Sequence, residues 1–133
     1  MTDRPVSDLP TLTTATAVLD EQALERLREL DPKGENKLIE RVLRAYETSA
    51  LRLLPQLDAA RAGRDRNGVR HVVHTLKSSS ASIGALTLSQ QCAAIEAIVR
   101  DGRADDLEPP LAALTAELAA VRAAIQSLLG AAA

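Results

Sequence analysis

The sequence has no tryptophan, no phenylalanine and a single tyrosine among 133 residues. A chain so poor in aromatics has no platform for stacking the bases of single-stranded nucleic acid and no belt for a membrane interface. β-Branched residues are scattered singly, which argues against a sandwich or barrel. One cysteine, Cys92, excludes an internal disulfide and agrees with a reducing compartment. A charge excess is also missing: 16 basic and 18 acidic residues leave a net charge of −2 and a pI near 5.7. Nucleic-acid binders usually show a strong basic excess, so no nucleic-acid role is expected. No apolar run reaches the length of a membrane span, and the most apolar stretch, residues 107–129, carries Glu117, Arg122 and Gln126. The first 17 residues, broken by Pro5, Pro10 and a threonine cluster, do not read as a signal peptide. A soluble, cytoplasmic protein with no membrane association is the expectation.

Alanine (24) and leucine (21) make up about a third of the chain, and both lie at the favourable end of the helix scale. The length suits one domain and is enough to bury a core without staples. Residues 1–17 are expected to form a flexible arm and residues 18–130 the folded domain, with Gly130–Ala133 as a frayed tail.

Helix signals punctuate the domain. Asp20 is an expected N-cap for a short helix over Glu21–Leu30, with Leu19 and Leu24 as a hydrophobic staple. Asp31-Pro32-Lys33-Gly34 then turns the chain. A long helix is expected from Glu35 to Ala62, with Leu38, Val42, Tyr46, Leu53 and Leu57 on its apolar stripe, a kink at Leu51–Pro55 and a stop at Gly63. The next starts after Asp65, with the seam Val69, Val73, Leu76, Ser80, Ile83, and ends at Gly84. The fourth carries Ala85, Leu88, Cys92, Ile95 and Val99 and stops at Gly102. The last has the seam Leu107, Leu111, Leu114, Leu118, Val121, Ile125, Leu128, with Pro109 and Pro110 in its first turn. Four long amphipathic segments with short connections imply antiparallel neighbours. The expected fold is therefore all-α: an antiparallel up-down-up-down four-helix bundle, with a short extra N-terminal helix over one end. Seams that close on one another point to a monomer.

Chemistry concentrates in the third long segment, His71-Val72-Val73-His74-Thr75-Leu76-Lys77-Ser78-Ser79-Ser80-Ala81. His74 follows the seam residue Val73, about 100° round the helix, and so lies on a flank that is part packed and part wet. Lys77, Ser78 and, a turn further, Ala81 share that flank. The face offers an imidazole, a cation and small side chains that leave a flat approach for another protein. His74 is ten residues before Gly84, and Glu96 is eleven after Ala85. Both therefore lie about 15–16 Å from the turn that joins their helices. Glu96 is also one residue past its own seam position, Ile95, so the two side chains should meet. A carboxylate on Nδ1–H fixes the tautomer and leaves the Nε2 lone pair outward.

Blander readings fit the other polar residues. A helical histidine such as His71 is ordinarily solvated or part of a docking surface. The run Ser78-Ser79-Ser80 lacks a triad-like acid partner, so a hydrolase is not expected. His71, His74 and Cys92 do not converge as metal ligands, because Cys92 is on the core seam and His74 is off it; no metal site is expected. Arg61, Arg64, Arg66 and Arg70 form a basic cluster that reads as a solvated face or as a steering patch for an acidic partner.

The run from His74 to Ser80, followed by Gly84-Ala85, Leu88, Cys92 and Ile95-Glu96, resembles the histidine-containing phosphotransfer (HPt) domain family over residues 19–129. The resemblance implies a phosphorelay module of two-component signal transduction, with His74 as phospho-acceptor, Lys77 stabilising the phosphoryl group and Glu96 orienting the imidazole. Arg70, His71, Ser78 and Ala81 would form the docking surface. Ser78 stands where the family often has glycine, and Tyr46 where phenylalanine is common. The implied partners are a response-regulator receiver domain, a hybrid sensor histidine kinase, or both. The chain needs no cofactor of its own, since the receiver supplies Mg²⁺. It has no Gly-rich phosphate cradle, so it is expected to be a carrier without autonomous kinase activity. The rival is a helical adaptor that binds a receiver or kinase without taking phosphate, for which His74 and Lys77 would be dispensable.

Overall fold

The computed structural model describes residues 18–132. The arm expected over residues 1–17 lies outside the described residues. Five helices and no strand occur among the described residues: α1 Glu21–Glu29, α2 Leu38–Ala62, α3 Arg66–Ser82, α4 Leu86–Arg100 and α5 Glu108–Ala132.

Local chemistry sets most of these boundaries. The Asp20 carboxylate accepts the Ala23 N–H and the Asp65 carboxylate that of Gly68, so both expected N-caps form. Gly63 ends α2, and Gly102, at φ +67°, follows α4. The α1–α2 turn runs longer than expected, and α2 starts at Leu38 rather than Glu35. Gly34 and Lys37 both have positive φ, which keeps the backbone between them out of the helix. The Asp31 carboxylate spans this turn, accepting N–H groups from Asn36 and Leu38. Asp31 thereby does the capping work that Lys37, at the N-cap position, cannot do with its own side chain. α2 continues through Pro55, which is exposed together with Leu51, whose carbonyl loses its N–H partner there. α5 runs past Gly130 to Ala132, because nothing at that glycine breaks the helix.

Helix α2 packs on α3, α3 on α4, α4 on α5, and α5 back on α2, while α1 packs on α2. Side-chain pairs give the direction of three of these contacts. Tyr46 meets Ser80 across α2 and α3, and Gly68 lies against Ala60. His74 meets Glu96 across α3 and α4, and Ser89 reaches the Lys77 carbonyl. Arg122 meets Glu47, and Arg61 meets Glu108, across α5 and α2. In each case the partner numbers fall along one helix as they rise along the other, so these pairs are antiparallel. The expected seams of α3 and α5 are buried from Val69 to Ile83 and from Leu107 to Ile125, and α2 adds Leu43 and Ala50. The buried side chains are aliphatic apart from Tyr46, Ser80, Cys92 and, at the edge, Glu96. α5 is long and apolar enough to cross a membrane by length and composition, but its seam is packed in this core and its Arg122 is paired.

Gly84 ties α1 to the end of the α3–α4 hairpin. It adopts φ +82°, and its carbonyl accepts the Asp20 N–H at 2.7 Å. A Cβ here would sit 2.8 Å from the Asp20 nitrogen and 2.9 Å from its oxygen. Only glycine meets both demands, the left-handed backbone and the close approach.

Candidate functional site

The site is built on the antiparallel contact of α3 with α4. On α3, Val72 and Val73 are both buried, which turns the next residue outward. His74 accordingly keeps 66% of its side chain exposed, while Glu96, opposite it on α4, keeps 10%. His74 Nδ1 lies 2.6 Å from Glu96 Oε2. An ionised carboxylate can only accept, so Nδ1 is the donor, and in the neutral imidazole Nε2 then keeps the lone pair.

The second carboxylate oxygen is also occupied. Lys77 Nζ donates to Glu96 Oε1 at 2.7 Å. Lys77 holds Glu96 below the usual carboxylate range, and His74 adds to this against the opposing effect of burial. Glu96 is therefore an ionised, nearly buried group clamped between a cation and an imidazole.

The sequence-derived geometry brought His74 and Glu96 together at equal height from the turn, and the structure places them so. It did not foresee the Lys77–Glu96 contact, in which the ammonium turns onto the carboxylate rather than standing free. By the same counting, Lys77 is level with Ala93, which offers no acceptor, so its long stem reaches one turn along α4 to Glu96. Ser89 was also missed: its hydroxyl donates to the Lys77 carbonyl at 2.9 Å and ties the two helices below the site. Both contacts pair residues that are not level across the hairpin.

Most hydroxyls of the serine-rich run are engaged within the domain. Thr75, Ser79 and Ser82 donate to carbonyls of their own helix, and Ser80 pairs with Tyr46. Ser78 and Ala81 are exposed on the His74 side of α3. Cys92 is fully buried, whereas His71 and His74 are exposed, so these three do not converge. Burial pushes the Cys92 thiol up to about 12.

The basic cluster divides. Arg61 pairs with Glu108 at 2.7 Å, joining the end of α2 to the start of α5, and Arg66, at the start of α3, donates to the carbonyls of Arg103 and Asp105 in the α4–α5 loop. Arg70 faces the other way. With Asn67, His71, His74 and Glu96 it lines a shallow depression beside the imidazole.

Fold and site together define a helical domain in which an exposed histidine, His74, is hydrogen-bonded from behind to a buried carboxylate that a lysine also contacts. Comparison with known proteins agrees with this class. A profile of the Hpt domain matches residues 41–124. The chain is 34% identical over 89 residues to histidine-containing phosphotransfer protein 4 of Arabidopsis thaliana, covering 65% of this chain and 69% of that protein. It is 41% identical over 51 residues to the sensor protein TorS of Escherichia coli (strain K12), covering 38% of this chain but only 6% of the sensor. No solved structure shows a significant match. The chain belongs to the Hpt domain family.

Proposed function

We propose that this chain is a histidine phosphotransfer module and that His74 is its phospho-accepting residue. The observation that carries this reading is the 2.6 Å contact of Nδ1 with Glu96 on an imidazole that is otherwise two-thirds exposed. In the neutral imidazole this contact leaves the lone pair on Nε2, open to a partner.

In the forward step, the Nε2 lone pair attacks the phosphorus of a receiver aspartyl phosphate in line with the leaving oxygen. The P–O bond breaks and the receiver carboxylate is regenerated. The imidazole keeps its Nδ1 proton and becomes cationic on phosphorylation, and the ionised Glu96 balances that charge. In the return step an aspartate of another receiver attacks the same phosphorus and Nε2 leaves. Lys77 offsets negative charge at the site, acting through the carboxylate it neutralises. The receiver supplies Mg²⁺ and most of the electrostatic stabilisation. The chain is thus a carrier in a phosphorelay, with no kinase activity of its own.

Its partners on this reading are a response-regulator receiver domain, a hybrid sensor histidine kinase, or both, in keeping with the names of its relatives. Arg70, His71, Ser78 and Ala81, all exposed around His74, form the docking face. The antiparallel helix contacts support an up-down-up-down four-helix bundle over residues 18–130. On this reading the domain works as a cytoplasmic monomer.

Incubation with a phosphorylated receiver domain tests the proposal. Label should pass to the chain as an acid-labile, alkali-stable adduct, and His74→Gln should abolish the transfer. Transfer that survives in His74→Gln refutes the assignment.

A further inference from the structure

On the reading that His74 carries the phosphoryl group, the cation best placed to touch that group is not Lys77. A phosphoryl group on Nε2 brings close to two negative charges beside Glu96, which is itself ionised. The Lys77 ammonium is committed to Glu96 Oε1 at 2.7 Å, and its side chain is only about one-third exposed. Its charge is largely used in neutralising the carboxylate. The new negative charge therefore needs a second cation.

Arg70 meets the requirement. It stands four residues before His74, one helical turn toward the N-terminus and on the same face. It is exposed and makes no hydrogen bond or ion pair among the described residues, unlike Arg61 and Arg66 of the same cluster. With Asn67, one turn earlier again, it lines the depression bounded by His74 and Glu96. Lys77 is absent from that lining. A planar guanidinium can offer two parallel N–H groups to two phosphoryl oxygens, and the Asn67 amide can donate a third.

We propose that Asn67 and Arg70 form the phosphoryl-binding side of the site and that Arg70 contacts the phosphoryl oxygens directly, while Lys77 serves to hold and neutralise Glu96. Arg70 thereby goes beyond a docking residue: it acts on the phosphoryl group whether or not a receiver is present.

A small-molecule donor separates this role from docking. With phosphoramidate, the Nε2 lone pair attacks phosphorus, the P–N bond of the donor breaks and ammonia leaves with its electron pair. The imidazole retains the Nδ1 proton. The full chain, Arg70→Gln, Arg70→Lys and Arg26→Gln would be compared, the last altering an exposed arginine on α1. Phosphorylation of His74 should be about five-fold slower in Arg70→Gln, the scale of one charge-assisted contact in a wet site. The ³¹P resonance of the adduct should shift in Arg70→Gln, and Arg70→Lys should recover part of the rate. Arg26→Gln should behave as the parent, and melting temperatures should agree throughout. A His74 adduct that forms at the parental rate with an unshifted resonance in Arg70→Gln overturns the role of Arg70 and leaves the phosphohistidine intact. No adduct on His74 in the parent chain overturns both.

Discussion

The pair Tyr46 and Ser80 tests whether the core fixes the rotation of α3 and hence the outward aim of His74. The two side chains are 4% and 0% exposed and meet at 2.8 Å, one hydroxyl donating to the other. Ser80 is six residues past His74, about 240° round the helix, so a lock at Ser80 holds the opposite face outward. Tyr46→Phe leaves the Ser80 hydroxyl without this partner, and Ser80→Ala leaves the tyrosine hydroxyl buried alone. Each loss costs about 1–2 kcal/mol, the net hydrogen bond plus part of the desolvation of the orphaned group. Removing both groups leaves no orphan, so the double variant should lie close to the better single variant. The expected coupling is about 1–2 kcal/mol, which shifts the urea midpoint measurably. Urea titrations of the four proteins, followed by helical circular dichroism, give the cycle. Strictly additive effects, or no loss in either single variant, would refute the idea that this hydrogen bond joins α2 to α3.

Three further outcomes follow from the structure. Gly84→Ala should destabilise the domain by at least about 2 kcal/mol in a denaturation curve, since it adds left-handed strain to a clash with the Asp20 backbone; an unchanged curve would contradict that packing. The Glu96 carboxyl, followed by ¹³C NMR, should titrate below its ordinary range and move up in Lys77→Met, the larger of its two hydrogen-bonded supports being gone. Because its folded value is depressed, its stabilising contribution is complete above the unfolded carboxylate range and is lost as pH falls through the folded value. Cys92, fully buried with its thiol pushed up to about 12, should react with a disulfide reagent at pH 8 only as fast as the protein opens; rapid labelling of the native protein would show the core is not closed there.

What could be read from the sequence divides along a physical line. Periodic seams on α3 and α5, and the Asp20, Asp65, Gly63 and Gly102 helix ends, depend on neighbours within a few residues, and they were legible. The pairing of His74 with Glu96 was also legible, because two helices joined by a tight turn place residues by simple counting. The start of α2 was not, because a carboxylate seven residues away caps Leu38. The Lys77–Glu96 pair escaped because a long flexible side chain chose an acceptor one turn off the level. Gly84 was legible as a helix stop but not as the seat of α1, a contact made with Asp20 across 64 positions of chain.

The central claim is that Glu96 holds the proton on Nδ1 so that Nε2 does the chemistry. The most direct measurement is the position of the phosphoryl group on the ring, read by phosphorus and nitrogen NMR of the ¹⁵N-labelled chain after phosphorylation by a receiver domain. The account predicts a phosphoryl group on Nε2 of His74, with the proton still on Nδ1. A phosphoryl group on Nδ1, or on His71, would contradict it.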